Sequence, residues 1–139
     1  MTVGGYRSSF PTRWADNDVY GHLNNTIYYA AMDSTINSWM IENGLLDIEN
    51  GAVLGVCAAS SCRFAASASF PDALALDLIV SRLGTTSVTW TFAISRVRDG
   101  LALANGEFVH VFVDRETRRP VQIPANLRAA IVEQLEVSA

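Results

Sequence analysis

Between residues 73 and 113, apolar side chains recur at every second position in three successive runs. Leu74, Leu76, Leu78 and Val80 alternate with Ala73, Ala75, Asp77 and Ile79. Val88, Trp90, Phe92 and Ile94 alternate with Thr89, Thr91, Ala93 and Ser95, and Phe108, His110 and Phe112 alternate with Val109, Val111 and Val113. A period of two puts each set on one face of a pleated strand, so these runs predict neighbouring strands with one face turned to a core. Gly84 breaks the first run, and Asp99-Gly100 is a strong hairpin signal before the third. Upstream, Val53 to Phe64 is apolar and rich in small residues, which predicts a strand covered on both faces. Tyr6 to Trp14 is short, β-compatible and interrupted by Pro11, as an edge strand or an irregular lead-in would be.

One segment follows a different period. Tyr28, Met32, Thr35, Ile36 and Trp39 stand at i, i+4, i+7, i+8 and i+11, which is one continuous helical face. Asn24 or Asn25 is a good N-cap, and Asn43-Gly44 is a stop signal, giving a helix of about twenty residues. A short terminal helix is expected over Ala125 to Val137. Consecutive strands joined by tight turns imply an antiparallel sheet, and the long helix must bury its stripe on it. The fold class is therefore α+β, an antiparallel sheet wrapped around one long central helix. At 139 residues the chain reads as a single domain, 1–139. Its exposed sheet edges favour edge-to-edge pairing with a second copy.

Composition narrows the function. A net charge of −4 argues against general nucleic-acid binding, which needs clustered positive charge. No apolar run approaches the roughly 20 residues that span a bilayer, and the N-terminus lacks the order of a signal peptide, so a cytoplasmic protein is expected. Cys57 and Cys62 read as buried small apolar residues, and no metal-ligand spacing accompanies them. No Gly-rich nucleotide fingerprint and no G-x-S-x-G elbow is present.

The chemistry concentrates in Arg13 to Tyr29, RWADNDVYGHLNNTIYY. Asp16 and Asp18 lie in a turn-rich loop with Gly21 and His22, directly before the helix start at Asn24-Asn25. The first turn of a helix offers unpaired N–H groups and partial positive charge, which suit a carbonyl oxygen that gains negative charge. A carboxylate nearby can act as general base on water or attack the carbonyl itself. Gly21 would let the loop backbone approach a substrate closely. The same residues also fit plain turn and cap roles, and Tyr28 and Trp39 fit a core. His110, set between Phe108 and Phe112, reads as a satisfied strand histidine.

That run resembles the signature of hotdog-fold acyl-CoA thioesterases of the 4-hydroxybenzoyl-CoA thioesterase family. Phe70-Pro71, Leu83-Gly84-Thr85-Thr86-Ser87 and the tail FVDRETRRPVQIP echo it in order. The resemblance implies hydrolysis of an acyl-CoA to free acid and CoA. Asp18, three residues before Gly21, takes the place of the catalytic carboxylate, as nucleophile or general base. The backbone at Asn24-Asn25 takes the place of the carbonyl-binding helix start. It implies a dimer or tetramer with the site at the subunit interface, and no cofactor, CoA entering only as part of the substrate. Gly21, His22, Asn24, Asn25 and Tyr28 are the expected substrate contacts. Arg82 and Arg118 are candidates for the CoA phosphates, as are Arg115 and Arg119. Asp16 is read as support for the loop. The alternatives are a non-catalytic acyl-CoA or acyl-carrier binding module and a hotdog dehydratase using His22 beside the aspartate.

Overall fold

The computed structural model describes residues 5–135. Five strands form one sheet: β1 (Tyr6–Pro11), β2 (Val53–Phe64), β3 (Ala73–Leu83), β4 (Ser87–Arg96) and β5 (Ala102–Asp114). Their order is β1-β3-β4-β5-β2, and every neighbouring pair is antiparallel. The alternation has its expected effect. Leu74, Leu76, Leu78 and Val80 on β3, and Val88, Trp90, Phe92 and Ile94 on β4, are all 1% exposed or less. Each such side chain is worth roughly 1.5–3 kcal/mol when taken out of water, so these two strands anchor the core. Gly100, at φ +73°, closes the β4–β5 hairpin.

Helix α1 (Asn25–Glu42) lies across this face, and its expected stripe of Tyr28, Met32, Thr35, Ile36 and Trp39 is buried. Two N–H groups beyond its end cap it: Gly44 donates to the Ile41 carbonyl and Leu45 to the Met40 carbonyl. Gly44 holds φ +67°, the left-handed conformation that this ending requires. The structure is thus a sheet wrapped around one long helix, the hotdog arrangement. A second helix, α2 (Ala125–Gln134), buries Leu127 and Ile131. The last part of its expected span, through Val137, lies outside the described residues. The Gln134 Oε1 accepts a hydrogen bond from the Trp39 indole at 3.0 Å, joining the two helices.

Two expectations fail together. β2 is not covered on both faces; most of it is exposed, including Cys57, and Cys62 is only half-buried. The reason is its place at the sheet edge, where only β5 pairs with it. Small residues that suit a crowded interior here leave a low, open strand. Nor do all four later strands follow one another through tight turns. β2 and β3 are separated by β4 and β5, so residues 65–72 must cross the sheet. That crossing passes beside the start of α1, where the Leu23 N–H donates to the Ala68 carbonyl.

Candidate functional site

The loop from Asn17 to Leu23 is a small hairpin of its own. Asn17 and Leu23 form an antiparallel bridge, the Asp18 N–H donates to the His22 carbonyl, and the Gly21 N–H donates to the Asp18 carbonyl. Gly21 sits at φ +81°, which completes the turn. A Cβ placed there would meet no protein atom within 4 Å, so within the chain it is the conformation that calls for glycine. The Asp18 carboxylate, half-buried, accepts from the Tyr20 N–H at 2.9 Å. No other hydrogen bond to this carboxylate is present among the described residues, and Asp18 borders a cavity beside the loop.

Asp16 plays the supporting part. It is buried and accepts from the Arg13 N–H at 2.8 Å and from the Arg13 guanidinium at 2.8 and 3.1 Å. Those hydrogen bonds hold its carboxyl below the usual carboxylate range against the opposing effect of burial. The Asp16 carbonyl also accepts from the Asn24 N–H, which ties the loop to the helix start.

Asn24 is the N-cap of α1. Its side-chain oxygen accepts from the Thr26 N–H at 3.0 Å and the Thr26 hydroxyl at 2.8 Å. The Ile27 N–H is served by the Asn24 carbonyl. Among the described residues no acceptor serves the Asn25 N–H, which remains available at the positive end of the helix. Asn25 and Asp18 line the same cavity of about 260 Å³ with Tyr20, His22, Tyr28 and Phe64. Tyr28 is buried, its phenol pushed above its ordinary pKa by burial, and its ring meets Phe64 edge-on at 5.0 Å. It belongs to the core and to the cavity wall at once.

Reading the sequence did not single out the residues that hold this loop in place. The Asn17 side chain donates to the Ser69 hydroxyl at 3.1 Å and accepts from the Phe70 N–H at 3.0 Å. The Ser69 hydroxyl in turn donates to the Gly21 carbonyl at 2.9 Å. The crossing segment is therefore the loop's clamp. Asn17 was visible as a turn former, but nothing local points to a partner about fifty residues away.

The arginines are not gathered at Asp18 of the same chain. Phe64, in the cavity wall, pairs with Ala104 near the start of β5. Arg118 lies beyond the other end of β5, roughly 33 Å away at 3.3 Å per residue over ten residues. Arg82 aligns through Thr89 with Val109 and so also lies toward that end. Arg118 holds φ +62°, a backbone position that would ordinarily favour glycine. Arg115 donates to the carbonyls of Ile48 and Gly51 and so braces the chain after α1.

A second, more enclosed cavity of about 190 Å³ lies beside Asp33, Asn37, Cys57 and His110. Asp33 is eight residues beyond Asn25, roughly 12 Å along the helix. His110 is buried there, and its Nδ1 accepts from the Trp90 indole at 3.0 Å, a satisfied strand histidine as expected. The Asp18 cavity is the one lined both by a carboxylate residue of the loop and by Asn25, the helix residue whose N–H has no acceptor among the described residues.

Residues 12–131 match the model of the thioesterase-like superfamily. The solved structure of the PA5185 protein from Pseudomonas aeruginosa strain PAO1 is similar at a TM-score of 0.90, with 45% identity over 96% of this chain and 93% of its own. The PA2801 protein from Pseudomonas aeruginosa is similar at a TM-score of 0.85, with 27% identity over 94% of this chain and 99% of its own. Slr0204, a 1,4-dihydroxy-2-naphthoyl-CoA thioesterase from Synechocystis, shares the fold at a TM-score of 0.85 and 20% identity, over 94% of this chain and 97% of its own. No curated protein matches the chain.

Proposed function

For a chain that belongs to the thioesterase-like superfamily, we propose hydrolysis of an acyl-CoA thioester with Asp18 as the reacting carboxylate. The observation that carries this reading is that Asp18 and Asn25, whose N–H has no acceptor among the described residues, line one cavity. The thioester carbonyl lies with its oxygen toward the Asn25 N–H. One such donor, aimed at charge that grows in the transition state, is typically worth about 10²–10³ in rate. Along one route Asp18 takes a proton from water while the oxygen adds to the carbonyl carbon. The C–S bond then breaks and the CoA thiolate is protonated. Along the other route Asp18 itself adds, CoA leaves, and water cleaves the resulting anhydride. His22 and Tyr28 border the acyl group, and Asn24 acts through the cap it gives the helix. The reaction draws on no cofactor.

Among the described residues no helix is long and apolar enough to cross a membrane. The partner in this reading is a second copy, paired along the unshared edge of β2. Such pairing would cover the small residues that the single chain leaves exposed. Arg82 and Arg118 then serve CoA phosphates across the interface rather than within one chain.

The test is thiol release from a panel of acyl-CoAs by wild type and Asp18→Asn. Loss of the carboxylate is expected to lower kcat/KM by about 10²–10⁴. A folded Asp18→Asn protein within about threefold of wild type would remove Asp18 from the chemistry, since a general base is worth far more than that.

A further inference from the structure

Two aromatic side chains that line the Asp18 cavity are followed, one helical turn along α1, by a tightly seated methionine. The aromatics are the edge-on pair of Tyr28 and Phe64. One helical turn along from Tyr28, Met32 is fully buried and seated over Gly106 of β5. A Cβ at position 106 would stand 2.3 Å from the Met32 sulfur and 2.9 Å from its terminal methyl. Met32 thus occupies the volume of a side chain that β5 does not have. Gly106 pairs with Cys62 on β2, two residues before Phe64, so the aromatic pair and the methionine lie along one stretch of the β2–β5 ladder. The cavity that Tyr28 and Phe64 line is half open to solvent and holds about 260 Å³ in the single chain, just under the usual 300–1,000 Å³ of small-molecule pockets.

We infer that this wall makes the site selective for short acyl groups, with Phe64 and Met32 as the residues that set its depth. The inference rests on the thioesterase reading of the Asp18 site and adds its substrate class. Met32 is unbranched and fills an irregular gap. Shortening it would free volume one helical turn from Tyr28, beside Gly106. Phe64 is 42% exposed, so its removal disturbs the core less and widens the cavity from the side.

The experiment measures kcat/KM for acetyl-, butyryl-, hexanoyl-, octanoyl- and dodecanoyl-CoA with wild type, Phe64→Ala and Met32→Ala. Wild type is expected to peak at butyryl or hexanoyl. The octanoyl-to-butyryl ratio is expected to rise at least about tenfold in Phe64→Ala, a factor within what a few methylenes are worth in an apolar pocket. The same direction is expected in Met32→Ala. Phe64→Ala keeps the question open to measurement should Met32→Ala fail to fold. A wild type that peaks at dodecanoyl, or a folded Phe64→Ala with an unchanged profile, overturns the inference while leaving the thioesterase reading intact. Absence of thiol release from every member by wild type would instead strike the thioesterase reading itself.

Discussion

Gly106→Ala adds a single methyl group where Met32 of α1 packs over β5. The new Cβ falls 2.3 Å from the Met32 sulfur, 2.9 Å from its methyl and 3.2 Å from the Ser61 carbonyl oxygen. The first two contacts involve the far end of a flexible chain, but that end is fully buried and has little room to move. Overpacking of this kind costs about 1–3 kcal/mol. Replacing glycine in a strand also stiffens the unfolded chain and returns about 0.5–1 kcal/mol. The net expectation is a loss of about 0.5–2 kcal/mol, or a fall of roughly 2–8 °C in Tm for a chain of this size. Urea and thermal denaturation of four proteins would measure it: wild type, Gly106→Ala, Met32→Ala and the double variant. Met32→Ala alone leaves a cavity and should cost about 2–5 kcal/mol. In the double variant the alanine at 106 partly fills that cavity, so the two losses should sum to less than additivity requires. Equal or higher stability for Gly106→Ala, or additivity within about 0.5 kcal/mol, would refute the contact as the source of strain.

Asn24→Ala removes both acceptor contacts to Thr26 and should cost about 0.5–2 kcal/mol by chemical denaturation. It should also lower kcat more than it raises KM, because the helix N–H groups lose their anchor. Asp16 has a folded pKa below its unfolded value. Its contribution is therefore complete above the ordinary carboxylate pKa and disappears as pH falls through the lower folded one. The stability gap between wild type and Asp16→Asn should accordingly narrow under acid, as pH-dependent denaturation would show. Burial holds His110 below its usual pKa of 6.5, against an opposing pull from Asp33. Its neutral form stabilises the fold fully above that value and less as pH falls below it, so NMR should find the ring neutral and protonated on Nε2 at pH 6.5, with Trp90 Nε1–H directed at Nδ1. A ring already half-protonated there would contradict the arrangement.

Local chemistry was legible where one side chain's role depends on its near neighbours. The stripe from Tyr28 to Trp39, the alternation along β3 and β4, the Asn24 cap and the Gly44 stop all follow from spacing within one element. The Asp18 loop was legible as a turn and as a candidate site for the same reason. What spacing does not carry is which strand stands beside which. The run of small residues in β2 fits an interior strand as well as an edge, and only the order of the sheet decides between them. The crossing of residues 65–72, and with it the Asn17–Ser69–Phe70 clamp, follows from that order. The separation of Arg82 and Arg118 from Asp18 does too, since both arginines were placed by loop composition alone.

The edge position of β2 also leaves a mark on solvent exchange. In an antiparallel pair, successive residues turn their N–H groups alternately toward and away from the neighbouring strand. About half of the β2 amides therefore bond β5 and half point outward, so deuterium should enter this strand in an every-other-residue pattern. Were a second chain to add its own strand there, the fast half would slow and the slow half would barely change. Recording that pattern at several protein concentrations would give the pairing constant of the edge, read from the outward amides, whose parity changes at the bulge between Cys57 and Ala59.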